Sequence, residues 1–178
     1  KLEDYRDVES FNAYKEMTET GGVSHEEMMG YLKKIGRDNA RTPMQWDDSE
    51  NAGFTTGTPW IRVNPNYKEI NAKQQVGTPD SVFSYYKELI RLRHENEVIV
   101  YGDYELLEPD NEELFIYTRT LGDEKLVVLC NFTDHDVMIP ASVMAQIPDD
   151  APIMISNYVG NIPAVLRPYE ATVRQIKK

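Results

Sequence analysis

Two arginines four residues apart, Arg37 and Arg41, stand beside Asp38, Asn39, Gln45 and Asp47 in one polar stretch. Such a set can hold a polyhydroxylated ligand. A guanidinium offers several donors in a fixed fork, and carboxylates accept from hydroxyl groups. Trp46 and Trp60, in the same stretch, have the flat apolar faces on which a sugar ring stacks. The residues allow a plainer reading with equal chemistry: the charges pair with one another and the two tryptophans belong to a core.

The elements that position these residues are irregular. The run Gly36 to Trp60 holds two arginines, four acids, two tryptophans, two prolines and three glycines in 25 residues. That mixture matches neither a helical stripe nor an alternating strand, and clusters of Gly, Pro, Asn, Asp and Ser read as loop. Asn64-Pro65-Asn66 extends the turn signals, so 36–79 is expected to be one long loop. Loops of that length are functional or disordered. Met44, Trp46, Phe54 and Trp60 supply apolar anchors, which disordered segments lack, so order is expected.

Regular structure flanks the loop. Tyr5, Val8 and Phe11 recur at spacings near three within 1–35, which predicts helix. Gly21-Gly22 interrupts it, and Ser24 with Glu27 forms a capping box for a second helix that ends at Gly36. Thr78 as N-cap and Pro79 at the first helical position predict a third helix to Asn96, with an apolar stripe of Val82, Phe83, Tyr86, Leu89 and Ile90. Nothing upstream is rich enough in apolar residues to cover that stripe. Beyond Asn96 the period becomes two. Strands are expected at Val98–Tyr101, Tyr104–Leu107, Leu114–Leu121, Lys125–Asn131, Val137–Ile139, Ile153–Ile155 and Ala171–Ile176, in an antiparallel sandwich. The continuous run Leu126–Cys130 marks a central strand covered on both faces.

Composition narrows the function. A net charge of −11 over 178 residues argues against a nucleic-acid partner and against an anionic membrane surface. No apolar run reaches the roughly 20 residues that span a bilayer. His25, His94 and His135 fall in three regions without ligand spacing, and Cys130 reads as a buried inert thiol. No phosphate loop, nucleophile elbow or zinc-protease signature is present, so no metal, cofactor or catalytic constellation is expected from the residues alone.

The stretches GRDNARTPMQWD (36–47) and NAGFTTGTPWIRVNPNYKEINAKQQ (51–75) closely resemble oligo-1,6-glucosidases of the α-amylase family of glycoside hydrolases. The likeness extends through EDYRDVES, DSVFSYYKELIRLR, VYGDYELL, NFT at 131–133 and LRPYEA at 166–171. Trehalose-6-phosphate hydrolases, dextran glucosidases and sucrose isomerases share this branch. The resemblance implies an α+β fragment of a larger enzyme. Residues 1–97 are expected to be the final loop excursion and last helix of a (β/α)8 barrel, and 98–178 a C-terminal antiparallel β domain. The family reaction is retaining hydrolysis by an Asp nucleophile and a Glu acid/base about 5 Å apart. A second Asp stabilises the transition state. The motifs that carry those three are absent here, so no catalytic residue is expected in this chain and the chain alone should be inactive.

What the likeness carries over is Arg41, as a clamp on the non-reducing-end glucose, with Arg37 a second substrate-binding candidate that could instead brace the loop. Trp46 and Trp60 are left as structural. The implied partners are an isomaltose-type oligosaccharide and the rest of the barrel, in a cytoplasmic enzyme. The competing expectation is a non-catalytic glucan-binding module, for which a 79-residue excursion of this type has no use.

Overall fold

The computed structural model describes residues 1–177, which divide into two compact units, one over 1–84 and one from residue 85 onward. In the first, α1 (Val8–Glu19) and α2 (His25–Ile35) form where helical spacing predicts them. Ser24 Oγ accepts from the Glu27 N–H while the Glu27 carboxylate accepts from the Ser24 N–H, satisfying two donors that a helix start otherwise strands. The Ser24 hydroxyl also donates to that carboxylate and, with the Ser24 N–H, holds the Glu27 carboxyl below its usual range. Met28, Met29 and Leu32 bury the inner face of α2 against Leu2, Tyr5, Ala13 and Tyr14.

Residues 36–79 form an ordered excursion built from short turns: Arg37–Ala40, Glu50–Gly53, Pro65–Lys68 and a single helical turn, α3 (Ala72–Gln75). Its tightest part is Asn51-Ala52-Gly53, three successive residues at φ of 52°, 59° and 66°. The Ala52 carbonyl accepts from the N–H groups of both Trp46 and Asp47, closing the turn. A Cβ on Gly53 would sit 2.8 Å from the Asp47 carboxylate, so only glycine fits there. Met44, Trp46, Phe54 and Trp60 do not anchor this loop in a core, contrary to expectation: all four are exposed, and hydrogen bonds supply the order.

Helix α4 (Val82–Glu95) begins later than Thr78-Pro79 predicts. Thr78 donates its hydroxyl to the Gln74 carbonyl, and Ser81 Oγ instead accepts from the Ser84 N–H, so serine closes the helix start. The predicted stripe is real but uncovered: Val82, Phe83, Tyr86, Leu89 and Ile90 are all exposed, and the buried side chain of α4 is Leu92.

In the second unit, the Val98–Tyr101 stretch is not a strand. It forms α5 (Glu97–Tyr101), because burying Val98 completely outweighs the extended preference of a β-branched run. Gly102 then permits the turn into the sheet. A Cβ there would meet the Val98 carbonyl at 2.5 Å and the Thr120 backbone at 3.1 Å. Replacing Gly102 with alanine forces backbone apart, and the expected loss of ~1–3 kcal/mol is to be read as a lower urea midpoint.

The sheet is five-stranded and antiparallel, ordered β1-β2-β3-β7-β5: β1 (Asp103–Leu107), β2 (Leu114–Leu121), β3 (Glu124–Asn131), β7 (Ala171–Lys177) and β5 (Ile153–Ser156). Gly122, at φ 56°, opens the β2–β3 hairpin. The run Leu126–Leu129 is buried throughout, as expected of a central strand. One face packs Leu114, Ile116, Val127 and Leu129 against Val137, Ile139, Val143 and Leu166. Those partners come from β4 (Val137–Met138), β6 (Val165–Leu166) and a short helix, α6 (Ala141–Met144). Neither β6 nor α6 is announced by periodicity, since two paired residues and one helical turn are shorter than any pattern. Six of the seven expected strands are thus present and pair antiparallel, with β4 and β6 as a separate pair beside the main sheet.

Two of the sequence motifs explain the far end of this unit. In NFT, Asn131 is buried; its amide donates to the carbonyls of His135 and Arg167, and its oxygen accepts from Thr133. In LRPYEA, Glu170 is 2% exposed and pairs with Arg167 through Nε at 2.8 Å and Nη2 at 2.9 Å. The same carboxylate accepts from the Arg167 N–H, and the guanidinium lies 4.2 Å over the Tyr158 ring. Cys130 is partly buried and its thiol is pushed up by that burial, as expected of an inert cysteine.

Candidate functional site

The polar loop residues divide by what they bond. Asn39 donates to the carbonyls of Leu32 and Lys33 and so closes the end of α2. Gln45 donates to Asn66 Oδ1 at 3.0 Å and to the Ile70 carbonyl at 2.5 Å, tying two turns of the loop together. Asp47 accepts from the Ser49 hydroxyl and N–H, which hold its carboxyl low. Asn39 thus spends its hydrogen bonds on α2, and Gln45 and Asp47 spend theirs on the loop itself.

The two arginines take different partners. Their spacing of four would align them on an α-helix, but the Arg37–Ala40 turn is a 3-10 helix, where residues three apart eclipse. Arg37 Nη2 lies 2.7 Å from Glu9 on α1, an exposed pair that bridges the loop to that helix. Arg41 stands at the end of the turn, its N–H donating to the Asp38 carbonyl. Its guanidinium is 46% exposed, and Nη1 lies 3.8 Å from Asp38 Oδ1 and 3.9 Å from Asp7 Oδ1. Both distances exceed hydrogen-bond length. Arg41 is therefore held by charge while its N–H donors stay directed at solvent.

Asp7 is the residue that reading the loop alone misses. It comes from the start of α1, and its carboxylate is 10% exposed. Asp38 makes the join: its Oδ2 accepts from the N–H groups of Arg6 at 2.5 Å and Asp7 at 3.0 Å. Arg6 Nε in turn donates to the Trp60 carbonyl at 3.1 Å. The signal was EDYRDVES, an acid-rich helix start, but nothing in a sequence pairs residue 7 with residue 41. Trp60 is 59% exposed and lines a cleft of about 380 Å³ with Asp4, Arg6, Asn51 and Arg62. Trp46 is likewise exposed, so both aromatic faces are open rather than packed.

This arrangement binds and orients. It presents an exposed cation whose side chain makes no hydrogen bond, faced by two carboxylates. Among the described residues no group of three or more His, Cys, Asp or Glu side chains is placed to hold a metal ion. Among the same residues no helix is long and apolar enough to cross a membrane.

The profile of the alpha amylase catalytic domain matches residues 5–102, more than half of the chain and all of this cluster. The chain belongs to the alpha-amylase family. Among curated members, it is 49% identical over 183 residues to the oligo-1,6-glucosidase of Parageobacillus thermoglucosidasius, a match covering 99% of this chain and 32% of that enzyme. Among solved structures of the alpha-amylase family's relatives, the trehalose-6-phosphate hydrolase of Bacillus licheniformis superposes with a TM-score of 0.89 at 41% identity, over all of this chain and 33% of that one. The isomaltulose synthase of Erwinia rhapontici NX5 gives 0.88 at 40%, over all of this chain and 32% of that one. The chain spans about a third of the length of the relatives it matches. The likeness to oligo-1,6-glucosidases drawn from the motifs is thus shared with a trehalose-6-phosphate hydrolase and an isomaltulose synthase.

Proposed function

We propose that this chain is the substrate-holding part of a retaining α-glucosidase that removes glucosyl units from the non-reducing ends of isomaltose-type oligosaccharides. The observation that carries the reading is Arg41: an exposed guanidinium with unspent donors, fixed within the 36–47 motif that the oligo-1,6-glucosidases share. In this reading Arg41 grips the hydroxyls of the terminal glucose, which closes the pocket and favours release of single units over internal cleavage. Arg37, committed to Glu9, braces the loop against α1. Residues 1–97 complete a (β/α)8 barrel, in which active sites are built from loops at one face, and 98–178 form the following β-sandwich domain.

The uncovered stripe of α4 supports that placement. Five apolar side chains on one helix face cost free energy in water and have a use only where another surface meets them. The rest of the barrel is that surface here. The reacting carboxylates lie outside this chain, so the chain by itself hydrolyses neither isomaltose nor p-nitrophenyl α-glucoside. The polypeptide carrying it with the remaining barrel hydrolyses both, in the cytoplasm. An assay of the two preparations side by side decides: turnover by the chain alone overturns the division of labour, and a full polypeptide that cleaves sucrose or trehalose 6-phosphate in preference to isomaltose overturns the substrate.

A further inference from the structure

Asp38 presents a feature that loop-bracing does not explain. It is 6% exposed, yet only one of its carboxylate oxygens is hydrogen-bonded; Oδ1 is buried without a partner. A buried carboxylate with an unsatisfied oxygen is costly unless a nearby charge offsets it. The nearest is Arg41 Nη1, at 3.8 Å, on the same side of the 3-10 turn three residues on. Asp7 Oδ1 faces the same nitrogen at 3.9 Å from α1. Nearby, the Arg6 side chain turns to the Trp60 carbonyl, Arg37 is engaged with Glu9, and Lys1, Asp4 and Lys33 line a cleft together with Asp38.

We infer that Asp38, together with Asp7, is a positioning residue for ligand recognition: the two carboxylates hold the Arg41 guanidinium in place by charge, without consuming the donors that meet a sugar hydroxyl. This rests on the reading of Arg41 as the glucosyl clamp. The geometry explains the division of tasks within one side chain. Asp38 Oδ2 takes the Arg6 and Asp7 N–H groups, which locks the turn to the start of α1. Oδ1 is left for Arg41 at a distance too long for a hydrogen bond but short enough for attraction in a poorly solvated place. A direct bidentate pair would anchor Arg41 more firmly and leave it fewer hydrogens to give.

The test is a double-mutant cycle in the full polypeptide that carries this chain. Asp38→Asn keeps an oxygen for the two N–H groups and removes the charge. It is expected to raise KM for isomaltose about tenfold, with kcat changed much less, and to add nothing once Arg41 is alanine. Asp7→Asn should act in the same direction and be silenced the same way, which keeps the idea testable if the first variant fails to fold. Equal loss from D38N with and without Arg41 would mean a purely structural role and overturn the inference. Wild-type kinetics for D38N and D7N, alongside an impaired R41A, would overturn it while leaving the proposed function standing. An R41A enzyme with unchanged KM would overturn both.

Discussion

Replacing Arg41 with alanine in the full polypeptide is expected to lower kcat/KM for isomaltose by roughly tenfold to a hundredfold, the range for losing charge-assisted hydrogen bonds. The direction follows from three observations. The guanidinium is exposed, it makes no contact short enough to be a hydrogen bond, and two carboxylates hold it at 3.8 and 3.9 Å. Alanine removes the donors and leaves Asp7 and Asp38 facing each other without their cation. Lysine at 41 keeps the charge but loses the planar fork, so R41K should restore folding stability better than it restores binding. Steady-state kinetics with isomaltose, read together with a thermal melt, separate the two effects. Arg37→Ala, by contrast, removes an exposed ion pair with Glu9 and should change stability by well under ~1 kcal/mol.

The second large effect is on folding. Glu170→Gln should destabilise the β unit by about 3 kcal/mol, since it leaves a partly buried Arg167 without its charge partner. Burial by itself would raise the Glu170 carboxyl; the bonds from the Arg167 side chain and N–H outweigh it and hold the group below its ordinary value of 4.5. A carboxyl depressed on folding contributes stability that is complete above the unfolded value and is lost as pH falls through the folded one. Wild type should therefore weaken progressively below pH ~4.5, while E170Q should show a flatter acid limb. Urea unfolding at pH 7 and pH 4 reads both, and equal midpoints for the two proteins at pH 7 would refute the assignment of LRPYEA as a fold clasp.

These two residues illustrate different kinds of legibility. The NFT and LRPYEA stretches stand out as motifs, but motif alone does not distinguish a ligand contact from a clasp. Asn131 and Glu170 turn out to bond their own backbone and their own neighbours. The loop motif divides similarly: Asn39, Gln45 and Asp47 have the same donors and acceptors as residues that grip sugars, yet Asn39 bonds α2 and the other two bond the loop. Arg41, by contrast, makes no side-chain hydrogen bond at all.

Local chemistry was readable wherever the deciding interaction lay within a few residues. The Ser24 capping box, the stop at Gly36, the hairpin at Gly122 and the buried run Leu126–Leu129 all depend on neighbours in sequence or on hydrophobic period. The loop motif likewise pointed to the family, whose catalytic-domain profile matches residues 5–102. Readings failed where distant residues decided. Val98–Tyr101 has strand propensity and becomes helix because Val98 is buried in its own unit. Thr78 is a good cap displaced by Ser81, and the loop tryptophans lie open, their segment held by backbone hydrogen bonds instead. By itself the sequence pointed to the family and to most of the elements, and it singled out Arg41 as a candidate. The tertiary structure alone decided which carboxylates face Arg41, since 34 residues separate Asp7 from it and only folding brings the two charges to 3.9 Å.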